Sequence, residues 1–376
     1  MTSVALHTSV YERSRLITAQ TPFLALDSER MLEAYHATLS SVTGAEVFYA
    51  VKCSGESSVL RVLADEGSSF DVASLGELER VLALGVAGSR IVCSNPIKIG
   101  PLCARCMETD VFAMVVDSED EVRKVAQYAP GARIYVRLAV DNSGAVMPLD
   151  KKFGVSAEQA LQELLLAREL GLDPIGLSFH VGSQSVKVGP WVAAIEACGH
   201  VWRAAAAFGI NLYFLDLGGG YPVQTDPTVP TIEAIGAAIT QAVEDFIPPA
   251  PDLKVIMEPG RGLVGAAGVL VMTVIGRAQR GSTTWLYLDG GVFHGLTEIL
   301  EGFTDYEVMA EDDTAPLTHE YTLAGPTCDS SDTILRNVQL PETNIGDRLF
   351  VLNAGAYSTE YSTTFNGFDR PSLQLM

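Results

Sequence analysis

The sequence is poor in basic residues: 25 lysines and arginines stand against 46 aspartates and glutamates, and the formal net charge is −21. This balance argues against a nucleic-acid partner, because nucleic-acid binding needs a basic face. An acidic surface attracts cations, so the charge is compatible with a cationic substrate. Solubility alone explains it equally well.

Long apolar runs are also missing. The longest, such as 264–275, contain glycines and are too short to cross a bilayer. Residues 1–20 lack the apolar core of a signal peptide. The six cysteines show no metal-ligand spacing, since Cys103 and Cys106 form a C-x-x-C pair without a second pair. We expect no membrane association, no metal site and a cytoplasmic, reduced chain.

The 376 residues are too many for one ordinary core and predict two domains. Short apolar runs alternate with amphipathic stretches over 22–265, beginning with a candidate strand at 23–26. This repetition predicts a (β/α)8 barrel, with a doubly wound parallel sheet as the alternative. Residues 266–376 carry β-like segments separated by turn residues, and with 1–21 they predict a second, all-β domain of sandwich or barrel type.

Lys52 stands at the C-terminal end of the strongly apolar segment 46–50. A lysine in such a place is most often an ordinary surface residue. Active sites of these barrels, however, lie at the C-terminal ends of the strands. A lysine that is desolvated there can lose its proton and form a Schiff base.

Two candidate anion-binding loops follow consecutive predicted strands. The first contains Gly219 and Gly220, and the second contains Glu258, Gly260 and Arg261. Glycines leave backbone N–H groups bare, so that an anion can approach closely. One glycine run is weak evidence, but a barrel phosphate site is expected at the last two strand ends, where both loops fall.

Two further segments carry reactive side chains. His180 and Ser183 follow another predicted strand, where the imidazole could stack on a flat ligand and the hydroxyl could contact phosphate. An ordinary structural histidine is about equally compatible with this position. In the β domain, the loop 325–332 (GPTCDSSD) places Cys328 beside Asp329.

Together these segments resemble the fold-type III pyridoxal-phosphate-dependent decarboxylases, which act on ornithine, lysine, arginine or diaminopimelate. The resemblance runs from about residue 22 to residue 371 and includes YAVKC, FDVAS, HVGS, LDLGGGYP, EPGR, GPTCDSSD and FNGF in one order. It is strongest toward the bacterial ornithine/lysine decarboxylases. It implies pyridoxal 5'-phosphate as the cofactor, an alanine-racemase-like barrel and a homodimer with shared active sites.

The resemblance also implies roles for single residues. Lys52 would bond the cofactor covalently, His180 would stack on its pyridine ring, and Glu258 would face the ring nitrogen. The residues that match phosphate and other cofactor contacts are Asp71, Arg137, Ser183, Gly219, Gly220, Gly260, Arg261 and Tyr357. Glu77 and Asp216 match the remaining polar side chains of the inner barrel.

Substrate contacts are expected mainly from the β domain. Cys328 matches the family's candidate proton donor and Asp329 the carboxylate that binds the distal ammonium, both reaching the site of the other subunit. Eukaryotic ornithine decarboxylases carry an aspartate where this chain has Gly302, and the nearest acids here are Glu298 and Glu301. The substrate-binding residues predicted by the resemblance are Asp329, Glu298, Glu301 and Phe365.

The predicted function is α-decarboxylation of L-ornithine, L-lysine or both to the diamine and carbon dioxide, as in polyamine biosynthesis. The alternatives are a related or modified substrate, such as arginine, diaminopimelate or a compound of specialised metabolism. A racemase on the same barrel would need a tyrosine base in place of the Cys328 loop. A non-catalytic cofactor-binding protein is typically a single barrel, so the β domain counts against it.

Overall fold

The structure, a computed structural model, describes residues 10–149, 152–303 and 306–376. Its chain contacts divide it into two units. One unit comprises Tyr35–Gly260, and the other combines the described residues up to Ala34 with Arg261–Met376. Within the described ranges, no helix has the length and apolar character needed to span a membrane.

Strands and helices alternate from Phe23 to Met257. The strands are β1 (Phe23–Leu26), β2 (Ala45–Ala50), β3 (Ser69–Val72), β4 (Ile91–Cys93), β5 (Ala113–Val116), β6 (Arg133–Arg137), β7 (Ala145–Met147), β8 (Asp173–Ser178), β9 (Ser183–Ser185), β10 (Phe214–Asp216) and β11 (Lys254–Met257). The helices are α1 (Ser28–Ser41), α2 (Ser57–Asp65), α3 (Leu75–Leu82), α4 (Gly100–Glu108), α5 (Glu119–Tyr128), α6 (Ala157–Glu169), α7 (Gly189–Ala207) and α8 (Ile232–Phe246). Side-chain caps mark several helix starts, as where Ser156 and Gln159 form a capping box at α6.

Eight parallel strands close into a barrel in the order β10-β11-β2-β3-β4-β5-β6-β8. Phe48, Tyr135 and Phe214 are among the buried side chains that form its core. Strands covered on both faces read as continuous apolar runs, which explains the short unalternating segments of the sequence. The predicted (β/α)8 barrel is confirmed, and closure of the sheet excludes the doubly wound alternative.

The other unit contains α9 (Arg261–Val264), β12 (Gly268–Arg280), β13 (Thr283–Leu288), β14 (Val308–Ala310), β15 (His319–Ala324), β16 (Thr333–Leu340), β17 (Arg348–Val351), α10 (Ser358–Tyr361) and β18 (Ser372–Leu375). Its eight strands form one mixed sheet in the order β14-β17-β12-β13-β15-β16, with β1 joined to β12 and β18. Phe23, Val271 and Phe350 belong to its buried core. The expected β-rich part of the chain is therefore present, as a single mixed sheet.

One predicted strand lies in a different sheet from the one expected. Strand β1 was predicted as the start of the barrel, but it pairs antiparallel with β12, where Phe23 is opposite Val271, and parallel with β18. All four of its residues are buried, and a short apolar run of this kind fits either sheet equally well. The structural boundaries accordingly lie at residues 34/35 and 260/261 rather than at 22 and 265.

Candidate active site

Lys52 lies in a short 3-10 turn directly after β2. Its Nζ is 2.6 Å from Oδ2 of Asp71, and the Asp71 carboxylate is almost fully buried. Asp71 belongs to the neighbouring strand β3, where it is in register with Ala50. The register of two adjacent parallel strands therefore holds the lysine amine at the C-terminal rim of the barrel.

Glu258 follows β11 at the same rim and is 7 % exposed. Its Oε1 accepts a hydrogen bond from the Ser94 hydroxyl, and its backbone N–H donates to the carbonyl of Gly218 at 2.9 Å. Burial raises the pKa of Glu258 well above its usual range, and the carboxylates of Asp216 and Asp71 add to this effect. A cation at this position would draw the side chain toward its ionised form.

Asp216 ends β10 and is buried beside Glu258. One of its oxygens accepts the N–H of Gly218 at 2.8 Å. Burial is the main cause that raises the pKa of Asp216 to about 7, with a further contribution from Asp71. Asp216 and Glu258 are therefore close enough to influence each other's ionisation, and the charge of Asp71 acts on both.

His180 follows β8, and its Nδ1 accepts the backbone N–H of Gly182 at 3.0 Å. Desolvation lowers the pKa of His180 well below its usual range, and the charges of Arg137 and Lys52 lower it further. The imidazole is therefore neutral at physiological pH. A neutral ring held by its Nδ1 presents a flat face for stacking.

The glycine run after β10 leaves no room for side chains. A Cβ on Gly219 would lie 3.0 Å from Nε2 of His180 and 2.9 Å from the carbonyl oxygen of Glu258. Gly220 has a φ of +97°, and a Cβ there would approach the carbonyl of Gly182 to 2.4 Å. The next loop is equally tight, because a Cβ on Gly260 would lie 2.9 Å from Cβ of Cys53. The backbone here can approach a ligand closely only with glycine.

A cavity of about 590 Å³ lies at this rim of the barrel. Lys52, Arg137, His180 and Glu258, all predicted from the sequence, line it. Its volume lies in the usual range for small-molecule and cofactor sites. Ser183 begins β9, which pairs antiparallel with β7 in a separate two-stranded sheet within the same unit.

In the sheet unit, Arg261 and Glu298 form a buried ion pair with an N–O distance of 2.5 Å. The guanidinium carbon of Arg261 also lies 5.1 Å from the ring centre of Tyr357. Glu298 is thus engaged with Arg261, and its direct contact to a substrate amine stays a prediction. Glu298 belongs to the 3-10 turn Thr297–Glu301. Glu301 is exposed at the end of this turn, next to Gly302, which has a φ of +91°.

The loop that carries Cys328 and Asp329 is exposed. Asn366 holds the cysteine: its Oδ1 accepts the backbone N–H of Cys328 at 3.0 Å and the thiol at 3.2 Å. The N–H and hydroxyl of Ser331 both donate to Asp329, and these bonds lower the pKa of the Asp329 carboxyl. Phe365, which precedes Asn366, is 41 % exposed.

Sequence reasoning missed three polar residues at these places. Ser94 follows β4 and could have been found by the rule that detected Lys52 and Glu258, since it is the first polar residue after a strand. Tyr135 lies within an apolar strand, where no local signal distinguishes it from a structural residue. Asn366 lies in the FNGF segment, in a turn with a φ of +57°, but only the fold places it beside Cys328.

Comparison with known proteins agrees with this geometry. The family model described as pyridoxal-dependent decarboxylase, pyridoxal binding domain, matches residues 28–265. The lysine/ornithine decarboxylase of Selenomonas ruminantium is 36 % identical over 351 residues, which cover 93 % of this chain and 88 % of that protein.

Two solved structures show the same likeness. The lysine/ornithine decarboxylase of Vibrio vulnificus, complexed with putrescine, superposes with a TM-score of 0.89 at 31 % identity and covers 100 % of this chain and 99 % of its own. The arginine decarboxylase of Paramecium bursaria Chlorella virus, bound to agmatine, gives a TM-score of 0.90 at 27 % identity over 98 % and 100 % of the two chains.

Proposed function

This chain belongs to the family of pyridoxal-dependent decarboxylases, and on that premise we propose that it removes the α-carboxylate of ornithine or lysine, releasing the diamine and carbon dioxide. The observation that carries the proposal is the convergence of Lys52, His180 and Glu258 on one cavity at the C-terminal rim of the barrel. Pyridoxal 5'-phosphate is the cofactor, and when bound it supplies a sink for the electron pair left at Cα after the carboxylate departs.

The residues present fit this cofactor. Lys52 contributes an amine to the cavity. Gly219 lies next to the imidazole of His180 and has no side chain that would cover the ring. Glu258 is a buried carboxylate whose neighbours Asp71 and Asp216 make it unfavourable as an isolated anion. A protonated ring nitrogen is the kind of cation that would stabilise it there.

Each side chain then has a distinct task. Lys52 would hold the cofactor covalently, and Asp71 orients its amine. The neutral face of His180 would stack on the pyridine ring. Glu258 would keep a proton on the ring nitrogen through a charge-assisted hydrogen bond. The proposed phosphate contacts and other cofactor contacts are Arg137, Ser183, Gly219, Gly220, Gly260, Arg261 and Tyr357.

The substrate class follows from charge and from the relatives. The Selenomonas and Vibrio proteins carry names for lysine and ornithine, and the viral protein one for arginine. Asp329 is exposed, and bonds from Ser331 favour its ionised form. A carboxylate of this kind would bind the distal ammonium of ornithine or lysine, and the contact would strengthen once both charges are removed from water. Glu298, Glu301 and Phe365 are proposed to shape the same end of the site.

Desolvating Asp329 requires a surface that covers it. We infer that the enzyme is a homodimer in which Cys328 and Asp329 complete the site of the partner subunit, and that it works in the cytoplasm. Cys328 would return a proton to Cα after carbon dioxide has left. The symmetry of such a dimer makes both sites equivalent, each with one barrel and one exposed loop.

The test is a substrate panel. Carbon dioxide release is measured from ornithine, lysine, arginine and diaminopimelate, with the purified protein saturated with pyridoxal 5'-phosphate. Ornithine or lysine should give the highest kcat/KM. A higher value with arginine or diaminopimelate would overturn the substrate assignment. Racemisation without carbon dioxide release would overturn the decarboxylase function itself.

A further inference from the structure

We propose that Ser94 is a positioning residue for Glu258, and that its hydroxyl keeps this carboxylate oriented and ionised toward the ring nitrogen of the cofactor. The inference rests on the role proposed above for Glu258. It assigns a task to a residue that none of the sequence motifs identified.

Ser94 lies at the centre of a polar cluster at the barrel mouth. Its hydroxyl donates to Oε1 of Glu258 and lies 2.7 Å from the hydroxyl of Tyr135. Its backbone N–H points to Oδ1 of Asp71 at 3.3 Å, while the other oxygen of Asp71 binds Lys52. One residue therefore contacts both the carboxylate that serves the lysine and the carboxylate that would serve the ring.

The number of protons available shows which group donates to which among Tyr135, Ser94 and Glu258. A serine hydroxyl donates one hydrogen bond, so if Ser94 donates to Glu258, Tyr135 must donate to Ser94. Tyr135 is buried, and burial together with the charges of Asp216 and Glu258 raises its pKa well above the usual range, so it keeps its proton. The sequence of donors is then Tyr135 to Ser94 to Glu258, and it ends on a charged acceptor.

The ionised form of Glu258 needs such support. Titratable and polar groups from five other barrel strands or strand ends act on it. The carboxylates of Asp216 and Asp71 disfavour its charge, whereas Lys52 and the Ser94 hydroxyl favour it. Arg137 also lies near enough to interact favourably, while His180 is neutral. Hydrogen bonds to charged acceptors are the stronger kind, so loss of the Ser94 donor should shift the balance toward the protonated acid.

The experiment measures cofactor binding rather than turnover. Apoprotein is titrated with pyridoxal 5'-phosphate between pH 6 and pH 9, and the dissociation constant is followed by absorbance. Ser94→Ala should weaken binding about tenfold at pH 7, and the loss should shrink as pH rises and Glu258 ionises without help. Ser94→Thr keeps the hydroxyl and should restore most of the affinity.

Two controls separate positioning from packing. Tyr135→Phe should weaken binding by about threefold in the wild-type background. It should have no effect once Ser94 is alanine, because the hydrogen bond from Ser94 to Glu258 is then already missing. With the cofactor analogue whose ring nitrogen is replaced by CH, Ser94→Ala and wild type should bind equally. If Ser94→Ala does not fold, the pH dependence of cofactor binding by Tyr135→Phe still tests the hydrogen bonds that run from Tyr135 through Ser94 to Glu258.

The proposal is overturned if Ser94→Ala binds like wild type at every pH. It is equally overturned if the two substitutions are additive, or if the loss persists with the CH analogue. Its failure is distinguishable from that of the proposed function. A wild-type protein that binds the cofactor but releases no carbon dioxide overturns the function and leaves the Ser94 test readable, whereas one that binds no cofactor overturns both.

Discussion

The two units of this protein hold the residues proposed for its active site in opposite ways. In the barrel unit, Asp71 and Glu258 are buried, and each bonds to a neighbour in the same unit. In the sheet unit, Cys328 and Asp329 are exposed and are held by hydrogen bonds with Asn366 and Ser331 of the same unit. The barrel thus preorganises the polar residues proposed to bind the cofactor, whereas the exposed loop would need another surface before its charge and thiol could act strongly.

The largest effect that tests this contrast is expected from Lys52→Ala. Loss of the covalent amine should lower carbon dioxide release by about a thousandfold or more. Borohydride reduction of the wild type should fix the pyridoxyl mass on the peptide that contains Lys52. The exposed Lys187→Ala is the matched control and should keep full activity. A label on Lys98 or Lys152 would show that a different lysine bonds the cofactor.

Glu258→Gln should have the next largest effect. The amide still forms a hydrogen bond but cannot hold a proton on the ring nitrogen, so turnover should fall by about a hundredfold. Cofactor affinity should fall less. Both quantities are measured on the same preparation, by carbon dioxide release and by titration of the apoprotein. A loss of affinity alone, with normal turnover of the bound fraction, would contradict this role.

A mixing experiment addresses the exposed half of the comparison. Lys52→Ala and Cys328→Ala should each be nearly inactive alone. If they exchange subunits at equal amounts, about half of the dimers are mixed, and each of these has one intact site. About a quarter of wild-type activity should therefore return. If mixing restores nothing although mass spectrometry shows exchanged dimers, the Cys328 loop serves its own subunit.

The smallest expected effect concerns Glu163, a buried carboxylate in α6 that does not line the cavity. Burial is the main cause that raises its pKa to about 8, and Asp117 and Glu119 add to it. Because this pKa is above its unfolded value, the wild type should lose stability as pH rises from about 4.5 to about 8.

Glu163→Gln removes that titration. The difference in unfolding free energy between Glu163→Gln and the wild type should therefore change by about 1–3 kcal/mol in favour of the variant as the pH is raised from 5 to 9, after allowance for partial solvent screening. Urea unfolding at the two pH values measures this gain. Activity should be unchanged, which would show that a raised pKa in the barrel does not by itself mark a functional residue.

Much of the barrel site could be predicted because its residues obey a local rule. Lys52, His180 and Glu258 each lie within two residues of the end of a buried apolar strand, and closed parallel barrels bring such positions to one rim. The glycines at 219 and 220 were visible for the same reason, although their necessity came from contacts 38 or more residues away in the chain. Local pattern and topology together were sufficient there.

Other features had no local signal. The four residues of β1 are buried on every side, and only their pairing with Val271 and its neighbours assigns them to the sheet unit. The ion pair of Arg261 with Glu298 joins residues 37 apart. Tyr135 is an ordinary aromatic residue of an apolar strand in the sequence, and only the fold shows that its hydroxyl lies beside that of Ser94.

By itself, then, the sequence determined the alternation of strands and helices, the acidic surface and the polar residues at strand ends, because periodicity and composition are local properties. The tertiary structure alone decided which sheet β1 joins, which carboxylates lie together at the barrel mouth and which hydroxyl donates a hydrogen bond to Glu258. These depend on side chains that meet across strands distant in the chain, and on the burial that shifts the pKa values of Glu258 and Asp216.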